Sequence, residues 1–109
     1  MFSSNVPEPD LLKNLLEPLL DDFEYWFSRS QTLLETETFD FLDAASQAAL
    51  LAKVLHTQQE VKTARTLLSL TEGQVGVETS MLMTWHQLVA QCWHVAMRHR
   101  LKNFSREEI

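Results

Sequence analysis

Glycine and proline are scarce in this chain of 109 residues, with two of the first and three of the second. A turn-rich sandwich, a barrel or a glycine-rich phosphate loop draws on many more such residues, so all three are excluded as readings of the fold. A single cysteine, Cys92, cannot close an internal disulfide, which fits a reducing compartment. No apolar run approaches the ~20 residues that a membrane-spanning helix needs. The opening MFSSNVPEP lacks the charged and apolar regions of a signal peptide, so a cytoplasmic location is expected. Basic residues are also few: the net charge of -6 argues against nucleic acid, whose phosphates call for a basic face.

The charge is divided unevenly. Residues 1–52 carry ten acidic side chains against Lys13 and Arg29, whereas residues 53–109 carry seven basic against five acidic. With 45% hydrophobic and 22% charged residues, the composition is that of a folded helical protein with one core.

The breakers that exist divide the chain into three helices. Pro7 and Pro9 imply an extended lead over residues 1–9, after which Asp10 can cap a helix. Its apolar positions recur at helical spacing through Leu12, Leu15, Leu16, Leu19, Phe23, Trp26, Phe27, Leu33 and Leu34. That spacing assigns Trp26 and Phe27 to the core and leaves Tyr25 on the polar side. An acidic arc including Glu17, Asp21 and Glu24 lies opposite. Pro18 predicts a kink, or a short leading helix that yields to a longer one near Glu17.

The segment TETFDFLD at 36–43 should reverse the chain, with Asp40 or Asp43 capping a second helix that runs to about Leu70. Gly73 is expected to stop it in the left-handed position. Its stripe of Leu50, Val54, Val61 and Leu68 is bordered by Gln58, Lys62 and Arg65. After the GQVG loop a third helix should begin at Glu78, Thr79 or Ser80 and reach about Asn103, leaving 104–109 as a frayed tail. Residues 10–103 thus form a single domain, an all-α antiparallel bundle of three long helices.

In such a bundle the first and third helices run the same way. Glu35 and Glu37 would then sit near Arg98, Arg100 and Lys102, which explains the charge asymmetry without a partner and suits the third helix's dipole. The third helix is apolar over most of its circumference. Beside a core arc of Met81, Trp85, Leu88 and Cys92 it carries a second arc of Met83, His86, Trp93, Met97 and Leu101. A helix so apolar is central to a bundle or pressed against another chain, so this second arc is the candidate partner-binding face and self-association is expected. The acidic face of Glu17, Asp21 and Glu24 is a second candidate surface.

Catalytic and metal patterns are missing. There is no Glu-x-x-His pair, no Gly-x-Ser-x-Gly, no phosphate loop and no dinucleotide fingerprint, and His56 with Glu60 reads as an exposed helical pair. Neither an enzyme nor a metal site is expected. The alternative is tetrapyrrole binding or delivery, with His86 or His94 as axial ligand among tryptophan and methionine, although a stripe of this kind is ordinarily core or interface. The terminal WHVAMRHRLKNF could also rest on an anionic membrane surface.

The segments PEPDLLKNLLEPLLDDFEYWFSRS at 7–30, EGQVGV at 72–77 and WHQLVAQCW at 85–93 together follow a family pattern. In them the chain resembles the cyanobacterial domain-of-unknown-function family 2605, from Pro7 to about Arg100. The resemblance implies a cyanobacterial cytoplasmic setting with thylakoids and the photosynthetic apparatus as neighbours. It supplies no activity and no catalytic residue. The reading reached is a non-enzymatic interaction, adaptor or assembly protein that acts through helix faces.

Overall fold

The computed structural model describes residues 9–72 and 77–108, which form three α-helices. These are α1 (Pro9–Thr36), α2 (Ala44–Leu70) and α3 (Thr79–Glu108). The expected extended lead, apart from Pro9, and both glycines lie outside the described residues. Within them α1 and α3 run the same way and α2 runs back along α1, the expected all-α bundle.

α1 passes through Pro18 without dividing, so the short leading helix does not form. Proline removes one donor, the one that would serve the Asn14 carbonyl. Pro18 and Asn14 are both exposed, so the Asn14 carbonyl left without its helical donor is on the solvent side of the helix. The helix begins at Pro9, where proline in a first turn sacrifices no helical bond.

The core of α1 is narrower than its apolar arc. Leu16, Leu20, Phe23, Phe27 and Leu34 are buried, while Leu15 and Leu19 are exposed and Trp26 keeps 44% of its surface in water. Trp26 is therefore not a core residue, contrary to the periodicity, and Leu20 is. Both other helices dock on one side of α1, so only the central strip of the arc is covered. Phe23 meets the fully buried Trp85 edge to face at 5.4 Å, and the Trp85 indole N–H donates to Glu60 of α2 at 3.1 Å. Each buried Leu or Phe of this cluster contributes roughly 1.5–3 kcal/mol.

α1, not the more broadly apolar α3, is the central helix. It packs along α2 and, less extensively, along α3, while contact between α2 and α3 is thin. Asp43 caps α2 by accepting from the Ser46 N–H at 2.7 Å. Four residues on, the Gln47 amide donates to the Leu34 and Glu37 carbonyls, both at 2.8 Å, and so satisfies the C-terminal end of α1. At the other end of α2, Thr71 and Glu72 donate back to Leu67 and Ser69. The left-handed residue there is Glu72, with φ 53°, one position before the glycine expected to fill that role. α3 continues to Glu108, five residues past the expected end at Asn103.

The opposite charges of the two chain halves do meet, and of the residues expected to meet, Glu37 and Lys102 take part, each with a partner other than those expected. Arg65 of α2 bonds both Asp21 and Glu24 of α1, the latter at 2.7 Å. At the far end His99 pairs with Glu37 at 3.1 Å and Lys102 with Asp40 at 2.7 Å. Arg98 lies over the Phe41 ring instead, and Arg100 makes no ion pair among the described residues. No helix of the described residues is long and apolar enough to cross a membrane.

Candidate functional site

A groove of about 720 Å³ runs between α1 and α3, lined by residues of these two helices and of the segment that follows α1. Its apolar walls are Trp26 and Leu33 from α1 and Val89, Trp93 and Met97 from α3. The helical repeat creates it. Trp26 and Leu33 lie two turns apart on the outer flank of the α1 core strip, and Val89, Trp93 and Met97 follow one another at four-residue steps beside the core strip of α3. Trp93 leaves 52% of its surface exposed, so the groove is a half-open channel rather than a closed cavity.

Polar groups edge the channel. The Arg29 guanidinium donates to the Tyr25 hydroxyl at 2.8 Å and lies 5.9 Å from the Trp26 ring, which fixes both aromatics at the α1 rim. Arg100 stands on the α3 rim. His99 closes one end, bound to Glu37 and 3.3 Å from the Asn103 amide, with its ring edge-on to the buried Phe39. Cys92 lines the floor, where burial pushes its thiol pKa up against an opposing hydrogen bond from Ser30. The thiol therefore stays protonated near neutrality, a poor nucleophile.

Of the residues singled out by sequence, Trp93 and Met97 line this groove. Met83 and Leu101 are exposed on the same flank of α3, toward its two ends, and His86 is exposed between them. His86 and His94 line neither this groove nor the second one, and His94 is also exposed. The second groove, about 550 Å³ between α2 and α3, is lined by small and polar side chains such as Ala52, His56, Thr57, Gln87 and Gln91. The acidic face is partly spent within the chain. Arg65 engages Asp21 and Glu24, and Glu24 is the main cause of the raised Arg65 pKa; Glu17 is half-buried.

Sequence reading missed Trp26, Leu33, Arg29 and Arg100 as groove residues. The spacing of Tyr25, Trp26 and Arg29, which puts a cation one turn from two aromatics, was the available signal. Among the described residues no group of three or more His, Cys, Asp or Glu side chains is placed to hold a metal ion.

A family model with the description "Protein of unknown function (DUF2605)" matches residues 6–101. No curated protein and no solved structure matches the chain.

Proposed function

The chain belongs to this DUF2605 family, whose description assigns no activity, and we propose from the α1–α3 groove that it is a non-enzymatic adaptor or assembly protein. One observation carries the reading: two tryptophans, Trp26 of α1 and Trp93 of α3, line opposite walls of an open apolar channel, each with about half of its surface in water. Exposed tryptophan in a concave apolar setting is the side chain most enriched at the energetic centres of protein interfaces. A channel between two parallel helices takes a further helix, whose apolar residues at i, i+3, i+4 and i+7 would settle between the rims. The protonated Cys92 and the internally paired carboxylates favour binding over catalysis. In the cyanobacterial cytoplasm that the sequence resemblance implies, partners near the photosynthetic apparatus fit this role.

A photo-crosslinking amino acid placed at Trp93 in living cells tests it. Adducts are expected from position 93 and not from the exposed α2 position Gln59. Equal labelling at both positions, or none at 93, overturns the reading.

A further inference from the structure

Charge in the α1–α3 channel runs against the composition. The chain carries a net -6, yet the acidic and basic side chains that line the channel are Arg29, Arg100, His99 and one carboxylate, Glu37. Glu37 is committed to His99 at 3.1 Å. Both arginines are exposed, and neither makes an ion pair among the described residues. Arg29 donates to the neutral Tyr25 hydroxyl at 2.8 Å. Arg65, which serves the fold, is by contrast matched by two carboxylates, Asp21 and Glu24. Asp22, exposed one turn before Trp26, lies outside the channel lining. Two unmatched cations therefore stand over an apolar channel in an acidic protein.

The channel also has a length and a charge spacing. Phe23 meets Trp85 and Glu37 meets His99, both separated by 62 residues, so the helices are staggered, with α1 residue n close to level with α3 residue n+62. The α3 lining from Val89 to Asn103 runs for about 21 Å at 1.5 Å per residue, four turns of a ligand helix. Arg29 is level with Gln91 and Arg100 with Thr38, so the two arginine positions stand about 13 Å apart along the channel, on different helices. On a helix laid along the channel, positions nine residues apart have the same rise and lie about 180° apart around its axis. They fall on its two opposite flanks.

We propose that the channel docks an acidic amphipathic helix of a partner protein. Apolar residues of that helix at i, i+4, i+7 and i+11 seat between Trp26 and Trp93, and a carboxylate on each flank, nine residues from the other, pairs with Arg29 and Arg100. This deepens the proposed function and rests on it. Each guanidinium presents a planar fork that matches a carboxylate, whereas a lysine at the same place on the partner meets like charge. The rest of the chain is net acidic and repels such a helix, which confines it to the channel. Shape favours a helix over a lipid surface. A bilayer is flat on this scale and meets the rims, while Val89, Trp93 and Met97 form an inner wall at four-residue steps, the ridge spacing that a packed helix fills.

Three fluorescein-labelled peptides of about 18 residues, five helical turns, test this against the full chain by fluorescence anisotropy. They share one leucine stripe and carry glutamate, glutamine or lysine on both flanks. At about 50 mM salt the glutamate peptide should bind about tenfold more tightly than the lysine peptide, with glutamine between, and the difference should shrink at about 0.5 M. Arg29→Glu and Arg100→Glu should each weaken the glutamate peptide about fivefold or more and strengthen the lysine peptide. Trp93→Ser should weaken all three about tenfold, and Lys62→Glu, on exposed α2, should change none. Circular dichroism identical to the parent confirms that the variants fold. No binding by any peptide, a glutamate peptide no tighter than the lysine one, or a preference that ignores both arginine reversals overturns the acidic helix. Flotation of the parent but not of R29E or R100E with phosphatidylglycerol vesicles, without any peptide preference, assigns the face to a lipid surface and also overturns it. Crosslinked protein adducts at Trp93 would in any of these cases still uphold the adaptor reading.

Discussion

Glu72 holds a left-handed backbone, φ 53°, in which a Cβ costs about 1–2 kcal/mol relative to the right-handed region. Glu72→Gly should therefore stabilise the protein by about 0.5–1 kcal/mol, net of the entropy glycine adds to the unfolded chain, read as a higher urea midpoint at unchanged slope. Asp43 makes a pH prediction. Its bonds from the Ser46 backbone and side chain hold its carboxyl below the ordinary 3.8. A depressed folded pKa contributes stability that is present above 3.8 and is lost as pH falls through the lower folded value. Asp43→Asn keeps the cap but should remove this acid sensitivity, which melting curves taken below pH 4 at about half-unit steps would show. Cys92, raised by burial, should resist thiol reagents at neutral pH and react fully once the protein is unfolded in urea. The buried cysteine was legible in sequence and the cap was narrowed to Asp40 or Asp43, because each depends on a short-range pattern. The left-handed residue was legible only to within one position, since Gly73 draws the eye and the helix ends on Thr71.

Along α1 the same 28 residues serve three surfaces. One strip packs into the core, a second meets Arg65 of α2, and a third stays open with Trp26. Periodicity identified the apolar arc but could not divide it into buried and open parts, which depends on where two other helices dock. Pro18→Ala restores a donor to the Asn14 carbonyl and removes ring crowding in an otherwise unbroken helix. It should raise stability by about 1–3 kcal/mol, measured by denaturant unfolding. Arg65→Met tests the second strip. Methionine keeps the apolar stem but loses two charge-assisted bonds in a half-buried site, so a loss of about 0.5–1.5 kcal/mol is expected. α3 shows the complementary lesson. Its broad apolar surface pointed to a helix central to the bundle or pressed against another chain; it is not the central one, but sits at the side of the bundle and leaves Met83, Trp93 and Leu101 in water.

At the scale of the molecule the bundle is held through α1, and Trp85 of α3 joins all three helices, wholly buried, edge-on to Phe23 of α1 and donating to Glu60 of α2. Trp85→Ala should cost about 3–5 kcal/mol, enough to unfold a domain of this size at moderate denaturant. The sequence by itself determined three helices, their shared all-α class, a parallel α1 and α3, and membership of a family through segments at 7–30, 72–77 and 85–93. These follow from local propensity, helical period and the position of breakers, all of which act within a few turns. Tertiary structure decided the rest. Docking of α2 and α3 on one side of α1 exposed Trp26 and opened the groove, and the 62-residue register staggered the helices. Those outcomes turn on how side chains from distant segments interlock, Trp85 against Phe23 and His99 against Glu37, and no single helix contains that information.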